Sequence, residues 1–238
     1  MDYPSGFVTL WEDFLLDNVS QSGALSNWLE TVGSGTPAAG DITNRHGGWW
    51  RFTIGTDEAD DIMMAGEVSW EVDEGSPLIY ETRCRTSVAA STHIFAGMSD
   101  ANTESSAIGV IHDNTGTIAA TATDAFGFML DDGSSLGGKW RAVSVQDGGT
   151  AAETTLSGAA DAANDVDQVI RVVATTRDSG TAEYYVGTSL EFGGGELVST
   201  LTGSISTEVV YAPVIQVNGR GVAVNVDFDY IFVQAPRS

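Results

Sequence analysis

The feature that most constrains this chain lies near its end, where apolar residues alternate through Val222, Val224, Val226, Phe228, Tyr230 and Phe232. Ala223, Asn225, Asp227 and Asp229 fill the gaps, and the gaps turn apolar only at Ile231 and Val233. A period of two sends alternate side chains to opposite faces, so the segment is a β-strand with one buried face. Asn218-Gly219 stands just before it and supplies the positive backbone dihedrals of a tight turn.

The same grammar recurs along the chain. Turn signals fall at Gly47-Gly48, 113–116, Asp132-Gly133, Gly137-Gly138, 147–149, 178–180 and 193–195. Between them, strand-like runs occupy 49–54, 63–72, 78–88, 93–98, 107–112, 118–123, 125–130, 140–146, 169–175, 182–186, 197–201 and 209–217. Trp50, Phe52 and Ile54 share one face of the first run and belong to the core. Short strands with glycine-rich turns and no alternation with helices predict an all-β fold, an antiparallel two-sheet sandwich. Segments 11–16 and 24–32 hold at most a short helical turn each, and 159–167 a turn of helix or a loop. Residues 1–40 are expected to form an N-terminal arm and first strand, partly outside a sandwich over 41–238, within a single domain.

Charge excludes several functions. The formal net charge is −23, from 33 acidic against 10 basic residues, with Lys139 the sole lysine. Such a field repels phosphate backbones and anionic headgroups, so nucleic acid and membrane surfaces are excluded as partners. It favours a solvated exterior that resists self-aggregation. At 42% hydrophobic residues the chain still has material for a core. Cys84 is the lone cysteine, expected as a buried, inert thiol in a strand. Residues 1–6 lack the basic and apolar regions of a signal peptide, and no run approaches the roughly 18 apolar residues of a membrane span. Synthesis in the cytoplasm is the expectation.

The candidate chemistry reduces mostly to structure. Glu71 and Asp73 would share a strand face, as paired glycosidase carboxylates do, and the segment looks like the start of the Glu-x-Asp-x-x-Glu signature of laminarinase-like glycosidases. Ser76 stands where the second glutamate belongs, so no catalytic residue is assigned. The acids of 57–61 lack the alternating ligand spacing of a calcium loop and read as a charged loop. Asp131 and Asp132 read as a turn; Asp227 and Asp229 share a strand face and could flank a metal, though an exposed polar face explains them as well. His46, His93 and His112 are scattered, so no metal ligand set is expected. Gly133-Ser134-Ser135-Leu136-Gly137 has the spacing of a nucleophile elbow but no following helix. No cofactor is expected. Arg83 and Arg85 are expected to pair with Glu71 or Asp73 across strands. Trp49, alternating with core Trp50, is left facing outward as a contact residue.

Several short segments, taken in order, carry a wider likeness: Trp11-Glu12-Asp13-Phe14-Leu15, Ser26-Asn27-Trp28, Gly47-Gly48-Trp49-Trp50-Arg51-Phe52-Thr53, Asp60-Asp61-Ile62-Met63-Met64, Tyr80-Glu81-Thr82-Arg83, Ile94-Phe95-Ala96-Gly97-Met98 and 226–233. Together they resemble a family of bacteriophage structural proteins with a concanavalin-like (laminin-G-like) jelly-roll sandwich. The resemblance implies a non-enzymatic virion component, above all a capsid decoration (cement) protein on the outer surface of the head. Its implied partners are the major capsid protein and further copies of itself, as a trimer. In that role Tyr3, Phe7, Trp11 and Phe14 would form a contact arm, with Trp49 a further contact. The alternative is a glycan-binding module of a head fibre or tail that attaches to host surface glycan, with a glycosidase a third reading.

Overall fold

The computed structural model describes residues 7–12, 28–42, 48–57, 60–73, 77–102, 110–114, 117–131, 138–155, 162–188 and 193–236. Eighteen strands are defined within them: β1 (Phe7–Glu12), β2 (Leu29–Ser34), β3 (Ala38–Asp41), β4 (Trp50–Ile54), β5 (Asp61–Ala65), β6 (Trp70–Glu71), β7 (Leu78–Thr86), β8 (His93–Ser99) and β9 (Ile111–Asn114) come first. They are followed by β10 (Thr117–Ala120), β11 (Ala125–Leu130), β12 (Trp140–Val145), β13 (Ala152–Thr155), β14 (Gln168–Thr175), β15 (Thr181–Gly187), β16 (Glu196–Thr202), β17 (Val210–Asn218) and β18 (Val224–Pro236). All-β architecture is thus as the alternation predicts. Segments 11–16 and 24–32 are corrected where they are described: β1 and β2 are strands, not helical turns. β3 and β13 carry no strand signal in the sequence, because Ala38-Ala39-Gly40-Asp41 and Ala152–Thr155 have too few large apolar residues to mark a face.

Two antiparallel sheets stack face to face. The first runs β16-β15-β14-β7-β18-β4-β3, with β1 added on β18; the second runs β13-β12-β11-β8-β17-β5-β2, with β6 on β17. The described parts of residues 1–40 therefore do not form an arm outside the sandwich. β1 pairs with the last six residues of β18, β2 with β5, and β3 with β4. Edge strands satisfy their ladder groups on one side, which explains how so weakly patterned a segment is held.

The core between the sheets takes alternate residues from each strand, including Trp50, Phe52, Ile54, Tyr80, Ile94, Phe126, Phe128, Trp140 and Tyr184. Burying this much aromatic and branched surface is the main stabilising force. The second sheet is buried on its outer face as well. Met63, Phe95, Met129, Val143 and Val214 point away from the main core and pack with Val110, Ile111, Ala122 and the β9–β10 hairpin. This double burial explains why β5, β8 and β11 have every residue buried, their apolar stretches bounded in β5 and β8 by the buried polar residues Asp61, His93 and Ser99.

The closing strand corrects its own sequence pattern. Val224, Val226 and Phe228 enter the core as predicted, but a β-bulge interrupts the register between Phe228 and Tyr230. One extra residue, Asp229, reverses the phase. Ile231, Val233 and Ala235 take over the core positions, while Tyr230 and Phe232 turn to the outer face. Thr82 Oγ1 donates to the Tyr230 carbonyl at 2.5 Å beside the bulge. Val222, expected at the start of the buried stripe, precedes the strand and is exposed.

Candidate binding face

The outer face of the second sheet carries the β9–β10 hairpin, whereas the outer face of the first carries a cluster of aromatic and charged side chains. Its centre is built by β7 and β18, whose outward positions are Glu81, Arg83 and Arg85 on one strand and Asp227, Tyr230 and Phe232 on the other. Trp11 on β1 lies opposite Phe232. Its indole stacks on Tyr230, with centroids 4.9 Å apart and planes 10° from parallel, and meets Phe232 edge-on at 5.9 Å. Trp11 nevertheless remains 48% exposed. It is a flat aromatic surface backed by a second ring.

Beneath it sits Glu81, fully buried. Tyr230 Oη donates to Glu81 Oε1 at 2.5 Å, and the Gly193 N–H donates to Oε1 and Oε2 at 3.3 and 3.1 Å. Burial raises the Glu81 carboxyl above its ordinary value, opposed by these hydrogen bonds and by the charge of Arg171. The same burial, with Glu81 as hydrogen-bond partner, pushes the Tyr230 hydroxyl far upward. Arg171 Nη1 donates to the Gly193 carbonyl at 3.1 Å, and its guanidinium lies 5.5 Å from the Tyr185 ring centroid. Both sides of one peptide segment, at Gly193, are thus pinned to the sheet.

Charged pairs flank this centre. Arg51 makes a two-pronged contact with Asp227 at 2.7 and 2.9 Å, Arg83 pairs with Asp229, and Arg85 reaches Asp165 at 3.0 Å and Asp167 at 3.8 Å. The expected pairing of Arg83 and Arg85 with Glu71 or Asp73 is corrected. Glu71 belongs to β6 on the second sheet, whereas β18 and β14 are the true neighbours of β7. Asp227 and Asp229 are also corrected from exposed face to buried ion-pair partners.

Of the contact residues expected from sequence, Trp11 and Trp49 converge on this face. Trp49 does point away from Trp50 and the core, but it is only 3% exposed, which corrects its reading as an outward contact. The Arg83 guanidinium covers its ring at 5.1 Å, so the outer face has its own packed layer. Phe7 opens β1, opposite Pro236. Tyr3 and Phe14 lie outside the described residues, as do Ser76 and the Gly133–Gly137 elbow spacing. Sequence reasoning missed Glu81, Tyr230 and Phe232 as the buried layer that supports this face; the turn of Ile231 and Val233 to apolar character was the signal for the phase change.

The remaining candidates serve the scaffold. Asp60 accepts the Thr36 N–H at 3.1 Å and the Gly55 N–H at 2.8 Å, so the acid run at 57–61 is a turn clamp as much as a charged loop. Asp131, expected in a turn, is fully buried instead: His93 Nδ1 lies 2.7 Å from it, and Arg220 donates to both its oxygens at 3.1 and 2.8 Å. Three neighbouring strand ends are latched there. Cys84 is buried, and burial drives its thiol pKa well up, which makes it unreactive. Among the described residues no group of three or more acid, histidine or cysteine side chains could hold a metal ion.

No protein-family model matches this chain, and no curated protein sequence does. Solved structures do. The CBM2 module of the evolved Dit protein of Lactobacillus casei BL23 phage J-1 is 11% identical, with 98% of each chain covered and a TM-score of 0.57. A β-1,3-1,4-glucanase (lichenase) from a mouse hindgut metagenome is also 11% identical, covering 94% of this chain and 98% of its own, with a TM-score of 0.57. The carbohydrate recognition domain of Emp47p is 12% identical over 93% of this chain and 94% of its own, with a TM-score of 0.54. At such identities the likeness concerns architecture: this chain is a two-sheet jelly roll of the kind used by carbohydrate recognition domains and glucanases.

Proposed function

We propose that this chain is a non-enzymatic, glycan-binding module carried on a phage particle. The observation that carries the reading is Trp11, half exposed and lying flat on Tyr230 among ordered polar groups. A ring held in that way can stack on the apolar face of a sugar without first being immobilised, which lowers the entropy cost of binding. The carbohydrate-binding modules among its structural neighbours support the ligand class, and the phage J-1 module supports the setting. Binding without catalysis fits Glu81, whose two oxygens already accept hydrogen bonds from Tyr230 and Gly193. It also fits Glu71 and Asp73, which are exposed on and beside a two-residue strand of the other sheet.

The test is a glycan array and calorimetry with purified protein. Competable saccharide binding, weakened about tenfold or more by Trp11→Ala, is expected. Absence of binding to any saccharide would overturn the reading, and hydrolysis of a bound glycan would overturn its non-enzymatic part.

Within the particle we place the module on the outer head surface, as a decoration protein on the major capsid protein. The strongly acidic composition suits a densely displayed subunit that must not aggregate, and many copies would give a stable coat from modest contacts. Stoichiometric co-sedimentation with purified heads is expected; recovery with tails alone would move the module to a tail adhesin.

A further inference from the structure

We infer, resting on the glycan-binding reading, that the ligand is an uncharged, extended oligosaccharide lying across the strands of the first sheet from Trp11 to Tyr185. Strand register aligns these residues. Trp11 pairs with Phe232, Phe232 with Glu81, Glu81 with Arg171, Arg171 with Tyr185, and Tyr185 with Leu197. The row crosses six strands at right angles to their direction. Four strand spacings separate Trp11 from Tyr185, or about 19 Å. That reach exceeds one sugar ring and matches a short chain.

The middle of the row is polar and lies under a glycine strap. Gly193 is fixed above Glu81 and Arg171 by the hydrogen bonds described above, and Gly193-Gly194-Gly195 carries no side chain to obstruct a ligand. A Cβ built at Gly193 would meet only Arg171 Nη1, at 3.7 Å, so the strap has no packing reason to exclude a side chain there. Its positive φ of +73° does favour glycine. A chain passing from Trp11 toward Tyr185 therefore meets exposed peptide groups between two aromatic stations.

Charge balance selects the ligand class. Arg51, Arg83, Arg85 and Arg177 lie against Asp227, Asp229, Asp165 and Glu183, and Arg171 faces Glu81. The first four cations are already paired locally, Arg171 is held by the Gly193 carbonyl, and the chain as a whole carries −23. A uronate or sulfated polysaccharide approaching this face meets net repulsion, whereas a neutral one loses nothing.

The test uses the full chain on an array of linear neutral gluco-, manno- and galacto-oligosaccharides of graded length, beside alginate and a sulfated polymer. Affinity for a neutral series is expected to grow with length until the oligomer spans about 19 Å, with little dependence on salt. Tyr185→Ala is expected to weaken the long oligomers about tenfold and leave the shortest unchanged; Tyr185→Phe, which keeps the ring, retains binding and checks the fold. Salt-sensitive binding of alginate or the sulfated polymer would overturn this inference while leaving glycan binding intact. So would neutral binding that is indifferent to length and to Tyr185→Ala. Failure of every saccharide to bind would overturn both.

Discussion

Trp11 and Tyr230 stack almost parallel, 4.9 Å between centroids, although their positions are 219 residues apart in the chain and neither ring faces the main core. The contact exists because one residue, Asp229, is bulged out of β18. Upstream of the bulge the strand sends Phe228 inward; downstream, the phase reverses and Tyr230 meets the edge strand β1 from outside. A single inserted residue thus converts a core stripe into an aromatic surface.

The phase reversal sets an order of mutational costs. Ile231→Thr places a hydroxyl in the core and removes buried methyl surface, an expected loss of about 3 kcal/mol. Phe232→Thr acts on the outer face and is expected to cost about 1–2 kcal/mol. Urea unfolding of the two variants checks this; an inverted order would mean that the alternation runs unbroken past Asp229.

The aromatic stack itself is measurable. A double-mutant cycle on Trp11→Ala and Tyr230→Leu should return a coupling of about 0.5–1.5 kcal/mol, typical of an aromatic pair. A coupling of zero would mean that the rings contribute only their separate burial.

Glu81 should leave a signature in the pH dependence of stability. Its folded carboxyl titrates above the ordinary value, so between the two values the folded state holds a proton that the unfolded state has lost. Stability from this group therefore falls as pH rises from the ordinary carboxylate value through the raised one. Glu81→Gln cannot titrate, and subtracting its stability curve from that of the wild type cancels the carboxylates common to both. The difference is expected to favour the wild type most at the acid end of that window and to decline upward through it; a rise with pH would contradict the cause assigned here, burial.

Gly97 and Gly127 face each other on β8 and β11. A Cβ on Gly97 would lie 2.6 Å from Gly127 Cα, and one on Gly127 would lie 2.5 Å from the Ala96 carbonyl oxygen and 2.8 Å from Gly97 Cα. These are backbone atoms that cannot swing aside. Gly97→Ala and Gly127→Ala are each expected to destabilise by about 2–4 kcal/mol through forced separation of the strands, read by thermal unfolding. A neutral effect of either would show that the two strands can part there without loss.

How far the sequence reads forward depends on what each residue had to encode. Strands such as Ala125–Leu130 and Val210–Asn218 were legible because local alternation or an unbroken apolar run is enough to state burial. β3 was not, since Ala-Ala-Gly-Asp has no strong face to display and is held by its pairing with β4 and by the packing of Ala39 on the core. Trp49 shows the intermediate level. Alternation gave its direction correctly, but whether that direction met water depended on Arg83, 34 residues away on a strand that does not even pair with β4.

By itself, then, the sequence determined an acidic, all-β chain with Trp50, Phe52, Ile54, Val224, Val226 and Phe228 inside, because period-two patterning is a local property of the backbone. Tertiary structure alone decided that Asp229 would bulge, that Trp11 would find Tyr230, and that Glu81, Arg171 and Tyr185 would fall into one row. Those relations are cross-strand, set by which strands become neighbours and in what register, and a linear pattern records neither.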